Sequence, residues 1–202
     1  MNIIILGADG SGKSTLCKLI KSSLINYEIV NLKKNKSSNF FLDILIVDLF
    51  EKLENKYIRR FYLYTILHFT EFIRNLIIIF SQNNLIFDRH PIDRIAIAIE
   101  GLLNLKKTKS IFYFIDVFIR IIWAIPNLIF LVSFDKIVFV NRSNKEIYKS
   151  RCDDYVSIEK VANKKKSYNI IYKFISKFKK DIYLVNNNTN IKQLEIQIKN
   201  FL

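Results

Sequence analysis

The chain opens on the apolar run Asn2-Ile3-Ile4-Ile5-Leu6, which has the length of a buried strand and passes directly into a loop studded with glycine. Beyond that loop, Leu16, Leu19, Ile20 and Leu24 recur at three- and four-residue spacing, so an amphipathic helix is expected from about Lys13. Residues 27–32 alternate as a second strand, 33–39 are a polar loop, and Leu42, Leu45, Ile46, Leu49 and Leu53 return to helical spacing. An aromatic-rich helical pattern over 59–80 is closed by a turn at 81–84. Residues 85–87 then form a short buried strand that delivers Asp88 and Arg89 to its C-terminal end. Helices follow over 92–105 and 110–125, the second stopping near Pro126-Asn127. Residues 136–140 read as the next strand, with 128–132 as a rival for the same place in the sheet. A short basic cover at 144–152 precedes a helix over 157–178 and a last strand at 182–185. Asn186-Asn187-Asn188 then separates that strand from a final helix with Ile191, Leu194, Ile198 and Phe201 on one face. Strands alternating with helices predict an α/β fold: a parallel five-stranded sheet, helices on both faces, a short lid, and one domain over 1–202.

The loop after the first strand carries the chemistry. Gly7-Ala8-Asp9-Gly10-Ser11-Gly12-Lys13-Ser14-Thr15 is a complete P-loop, and the strand before it and helix after it supply the context such a motif needs. Glycines at 7, 10 and 12 let the backbone curl until its N–H groups point inward at phosphate oxygens. Lys13 adds a charge for the β and γ phosphates, Ser14 offers a hydroxyl to Mg²⁺, and the helix N-terminus faces the same anion. ATP and Mg²⁺ are the expected cofactors.

Composition changes this picture little. Half of the 202 residues are hydrophobic, enough for a substantial core, and the formal net charge is +14. That charge suits an anionic partner, but the lysines are scattered without forming a stripe, so nucleic acid is not favoured and a small-molecule nucleotide is. The two cysteines, Cys17 and Cys152, lie far apart and suggest neither a zinc site nor a disulfide framework. Without a signal-like N-terminus, a cytoplasmic location is expected. Residues 121–134 carry no charge, but 14 residues fall short of the roughly 20 that span a bilayer. A buried helix followed by a strand or packed loop is favoured there over peripheral membrane contact, and a homodimer is left open.

The remaining motifs narrow the nucleotide chemistry. No Asn-Lys-x-Asp guanine-reading motif exists, since Asn35-Lys36-Ser37-Ser38 and Asn144-Lys145-Glu146-Ile147 lack the Asp, and a Ras-like GTPase is disfavoured. The length leaves no room for the extra subdomain of a motor ATPase, so small-molecule phosphoryl transfer remains.

Here the chain resembles the thymidylate kinase family of nucleoside monophosphate kinases. The P-loop from Gly7 to Thr15 matches that family's pattern throughout, Asp88-Arg89-His90 matches its Asp-Arg-[Tyr/His] signature after a short apolar strand, and residues 136–151 look like its strand and arginine-bearing lid. The resemblance implies that Asp9 lies beside the acceptor sugar, that Arg89 clamps the acceptor and transferred phosphates, and that Asp88 joins Ser14 near the Mg²⁺ shell. It also places the transition-state cation in the lid, with Arg151 the choice and Arg142 and Lys149 the alternates. Phosphoryl transfer depends more on positioning and positive charge than on a strong base, which suits the set Lys13, Asp88, Arg89 and Arg151.

The chain departs from the family at the acceptor side. In place of an Arg-Glu-Pro-Gly-Gly-Thr-like loop after the second strand stands Leu32-Lys33-Lys34-Asn35-Lys36-Ser37-Ser38. Where the family carries an arginine on the preceding helix, the count falls on Leu67-His68, with Arg59, Arg60 or Arg74 as substitutes and His68 read as a core residue. Three functions therefore compete: a kinase from Mg-ATP to a nucleoside monophosphate, dTMP first; a kinase of another small acceptor, whether nucleoside, sugar or lipid-linked; and an ATP-binding module without transfer.

Overall fold

A computed structural model describes residues 1–30, 84–88, 92–105, 111–131, 134–151, 157–188 and 191–200, with single positions between 65 and 80. Within them five strands form one sheet: β1 (Ile3–Leu6), β2 (Glu28–Val30), β3 (Leu85–Asp88), β4 (Lys136–Asn141) and β5 (Ile182–Asn186). Every pairing is parallel and the order is β2-β3-β1-β4-β5. β1 is thus central, with Ile5 in register with Asp88 on one side and Val138 on the other.

The all-apolar sequence of β1 follows from burial on both faces, as parallel sheets require. Ile4 and Leu6 point into one core layer with Phe87, Ile137 and Phe139, whereas Ile3 and Ile5 point into the other with Ile86, Val138 and Val140. Helices α1 (Lys13–Ser23) and α6 (Ile191–Lys199) cover the second layer through Leu16, Cys17, Ile20, Leu194 and Ile198. Helices α2 (Ile92–Leu105) and α5 (Ile158–Ile175) cover the first through Ile92, Ala96, Val161, Tyr168 and Ile171. The predicted parallel sheet with helices on both faces is observed.

The middle of the chain is less regular than its pattern suggested. Residues 128–131 do not compete for the sheet, because Pro126–Leu131 winds into a 3₁₀ helix and drops Phe130 into the core. Before it, α3 (Ile111–Ala124) buries only part of its surface. Val117, Ile119 and Ala124 are buried, while Ile111, Phe114, Ile115, Phe118 and Ile122 are exposed, which corrects the expectation of a buried helix. The cause is a helix that is apolar over most of its girth, the Asp116–Arg120 ion pair apart, but packed along one side: Tyr113–Phe130 has mean hydropathy 1.7 over 18 residues, 28% of them buried, so it is long and apolar enough to cross a membrane by length and composition. The acceptor-side expectations at 32–38, Arg59, Arg60, His68 and Arg74, together with the helix at 42–53, lie outside the described residues.

At the N-terminal edge of the sheet, buried Asn2 knits three strands. Its backbone N–H donates to Asp135 at 2.6 Å and its Oδ1 accepts from the Leu85 N–H at 3.1 Å. Asn84, at φ 64°, makes the turn that introduces β3, a conformation asparagine adopts more readily than most residues.

Candidate active site

The site lies at the C-terminal ends of β1, β3 and β4, where open α/β sheets meet their ligands. The P-loop leaves β1 at Gly7 and enters α1 at Lys13. Gly12, at φ 97°, is left-handed and caps that helix, a conformation that would strain a side chain. Ser11 Oγ is buried and has no hydrogen-bond partner among the described residues. A buried hydroxyl of this kind is costly unless an acceptor meets it, and phosphate oxygens are acceptors.

Lys13 is 6% exposed. Its Nζ donates to the carbonyls of Gly7 at 2.6 Å and Ala8 at 3.0 Å, and lies 3.6 Å from Asp9. The ammonium is therefore folded back along the loop, over the place where phosphate oxygens would compete for its protons. Asp9 is held by this contact on the loop's own rim.

At the very start of α1, Ser14 Oγ donates to Asp88 Oδ2 at 2.5 Å. Asp88 is 5% exposed and ends β3, which parallel pairing holds beside β1. The sheet thus brings together two oxygen ligands from positions 74 residues apart. Hydroxyl plus carboxylate suits Mg²⁺, which prefers oxygen, keeps several waters and takes one or two protein ligands together with nucleotide phosphates. No group of three or more His, Cys, Asp or Glu side chains forms a metal cluster among the described residues. Behind this pair, Cys17 lies on the buried side of α1. Burial pushes its thiol well above the ordinary cysteine range, the Asp88 carboxylate adds to the rise, and Lys13 opposes it. A protonated, enclosed thiol contributes packing and no nucleophile.

Over the loop sits the lid helix α4 (Asn144–Ser150), capped at its start by Ser143, whose hydroxyl accepts from the Glu146 N–H. Two arginines flank it. Arg142 Nη1 donates to the Gly10 carbonyl at 3.1 Å and its Nη2 to Glu146 at 3.3 Å. The lid's C-terminal end is equally close: Arg151 Cγ and Ser150 Oγ each lie 2.9 Å from where a Cβ on Gly10 would stand. Lys149 is 76% exposed and pairs with Glu146 at 3.9 Å, away from the loop. The structure therefore brings Lys13, Ser14, Asp88, Arg142 and Arg151 around one P-loop and leaves Lys149 outside, while Arg89 and His90 lie outside the described residues.

Several contacts at the site carry no motif. Lys165 of α5 donates to the Arg142 carbonyl at 2.7 Å, and burial lowers its pKa. Tyr168, one turn later, donates to Asp93 at 2.7 Å, joining α5 to the start of α2. Asn187 reaches the P-loop backbone directly, its Nδ2 donating to the Ser11 carbonyl at 2.7 Å. The signal that could have singled it out is its position: polar residues just past the C-terminal end of a parallel strand face the ligand side of the sheet.

With this geometry in place, the chain can be set beside known proteins. Deoxyadenosine kinase from M. mycoides with bound dATP superposes over 99% of this chain and 98% of its own, with TM-score 0.64 and 22% identity. Thymidylate kinase from Candida albicans covers 98% of this chain and 89% of its own, with TM-score 0.61 and 17% identity. The fold is that of the P-loop kinases. Thymidylate kinase from Ehrlichia chaffeensis has it too, over 99% and 96% of the two chains, at TM-score 0.51 and 13% identity. No protein-family model and no curated protein matches the sequence.

Proposed function

We propose that this protein is an ATP-dependent kinase that transfers the γ-phosphoryl of Mg-ATP to a nucleoside or nucleoside monophosphate within a single domain. The observation that carries the reading is the Ser14–Asp88 hydrogen bond, which sets the P-loop hydroxyl against the strand-end carboxylate, the oxygen pair that would hold Mg²⁺ beside the donor phosphates. In this reading the inward N–H groups and Lys13 hold the donor phosphates, and Ser14 and Asp88 hold the metal. Mg²⁺, when bound, neutralises charge on the transferring group. Arg151 and Arg142 close from above on the equatorial oxygens, and Arg89, next to Asp88 in sequence, clamps the acceptor side.

For the acceptor, dTMP is the first reading, resting on the P-loop and Asp88-Arg89-His90 motifs. A deoxynucleoside is the second. It is supported by the likeness to deoxyadenosine kinase over nearly all of both chains, and by the missing arginine-bearing acceptor loop, which a substrate without phosphate does not require.

The test is Mg-dependent ADP release in the presence of dTMP, dAMP, deoxyadenosine and deoxycytidine in turn. Stimulation by dTMP well above the purine monophosphates supports the first reading, because a pyrimidine-sized pocket excludes larger bases. Stimulation by deoxynucleosides alone supports the second. ATP binding without stimulation by any of them would leave a binding module and overturn both.

A further inference from the structure

Three consecutive asparagines, Asn186, Asn187 and Asn188, follow the core of β5, and each ties a different part of the site. Asn186 Oδ1 accepts from Asn141 Nδ2 at 3.0 Å at the end of β4. The Asn187 backbone N–H donates to the Asn141 carbonyl at 2.7 Å and its side chain to the Ser11 carbonyl at 2.7 Å. Asn188 Oδ1 accepts from the Ser143 N–H, the cap of the lid helix, at 2.6 Å. One turn thus holds the strand that leads to the lid, the lid's root and the P-loop.

The Ser11–Gly12 peptide is the one most in need of such a hold. On its far side stands Gly12, at φ 97° and without a Cβ, so on that side the peptide plane can rotate at little steric cost. In a trans peptide the C=O and the following N–H point in opposite directions. Anchoring the Ser11 carbonyl outward on Asn187 therefore turns the Gly12 N–H the other way, toward the hollow of the loop. The contact is also tight: a Cβ on Gly12 would come within 2.0 Å of Asn187 Nδ2.

We infer that Asn187 is a positioning residue that sets the orientation of the Gly12 amide and so preorganises the P-loop for the donor phosphates. The inference rests on the kinase reading for the identity of the ligand, whereas the lock itself is a property of the protein alone. Because the Gly12 amide serves donor phosphate before and during transfer alike, losing its orientation weakens ATP binding more than it slows turnover. By contrast, Asn188 acts on the lid root.

The chain contains only four glycines, so ¹⁵N-glycine labelling gives four backbone amide signals, with Gly101 in α2 reporting on the fold. Two variants are compared with wild type: Asn187→Ala, which removes the donor, and Asn187→Asp, which keeps the shape but cannot donate. In both, the Gly12 signal should shift or broaden and its hydrogen exchange should quicken while Gly101 is unchanged. The Kd for Mg-ATP should rise roughly tenfold with kcat within about threefold, the size expected of one hydrogen bond that orders a charge-binding amide. An unperturbed Gly12 amide in Asn187→Asp, or wild-type ATP affinity in either variant, would overturn the inference. Wild-type protein that fails to bind Mg-ATP would overturn the kinase reading instead, and the glycine spectra would still decide whether the lock exists. If Asn187→Ala fails to fold, the isosteric Asn187→Asp carries the test.

Discussion

The P-loop floor and the lid above it are built on opposite plans. The floor is continuous in sequence and buried: Lys13, Leu16, Cys17 and Ile20 sink one side of α1 against the sheet, and the loop's own carbonyls hold the Lys13 ammonium. The lid is a seven-residue helix with one buried residue, Ile147, and polar tethers at Gly10, Ser143 and the Arg142 carbonyl. A buried floor presents fixed dipoles to the part of a nucleotide that does not react. A tethered lid can bring its arginines to the reacting phosphoryl and release them, at the cost of a few hydrogen bonds. In the proposed function the floor binds the donor and the lid supplies transition-state charge, and each substitution below tests that division.

The largest effect is expected at the floor's centre. Lys13→Ala should lower the transfer rate by on the order of 10³-fold while circular dichroism and thermal unfolding show a folded protein. A folded Lys13→Ala protein with near wild-type ADP release would end the division, because the floor would then contribute nothing. Next comes Arg89, the proposed acceptor clamp. Arg89→Lys keeps the charge and loses the planar fork, so kcat should drop by roughly 10²-fold with the Kd for ATP little changed. Equal losses in both would place Arg89 with the donor site. For the lid, Arg151→Ala and Arg142→Ala should each reduce kcat by roughly 10- to 100-fold and leave the Kd for ATP within a few-fold, as measured by single-turnover kinetics and equilibrium binding. If either variant lost affinity without losing rate, that arginine would belong to the floor.

Smaller effects sharpen the picture of the floor itself. Ser14→Ala removes one metal ligand and leaves Asp88 in place, so the Mg²⁺ midpoint should move up by about tenfold while saturating rates stay close to wild type. An unchanged titration would remove the hydroxyl from the metal shell. The least visible effect concerns Cys17. Its folded pKa lies above the ordinary value of 9.0, so the thiol form is favoured in the native state and its contribution to stability is complete below that pH. That contribution is lost as the pH rises above 9.0, because only the unfolded chain then gains by ionising. Peptide-resolved alkylation at pH 8 should label Cys17 only as fast as the protein unfolds, and rapid labelling would show a floor less closed than its packing indicates.

The same contrast explains what could be read from the sequence. The strand, P-loop and first helix were legible because their signals are local: an apolar run, fixed glycine spacing and a 3.6-residue period within 24 positions. Helix α2 lies where its pattern placed it, and a lid was expected at 144–152 from its short basic character and from the resemblance, where Asn144–Ser150 is helical. What failed was reading burial from hydropathy. Residues 111–131 are apolar apart from a few positions such as Asp116, Arg120 and Asn127, so hydropathy could not show that α3 leaves Phe114 and Phe118 exposed or that 126–131 would turn rather than extend. The Ser11–Asn187 bond, between positions 176 residues apart, was invisible for another reason. Asparagines after a strand look like a turn, and only the sheet order places that turn against the P-loop.

That sheet order also governs when the site can come into being. The P-loop is complete within the first 15 residues of the chain, yet β1 stands between partners that arrive much later, Ile86 on one side and Lys136 on the other, and β5 follows later still. Parallel pairings across such separations close long stretches of chain before any of their contacts are gained, which makes folding slow compared with proteins built from local contacts. Asn187, which holds the Ser11 carbonyl, stands 176 residues after it, so the P-loop waits for β5 before this contact can form. In the proposed function nucleotide binding follows these pairings, and nucleotide added during refolding should raise the yield of native protein by mass action without hastening the earliest steps.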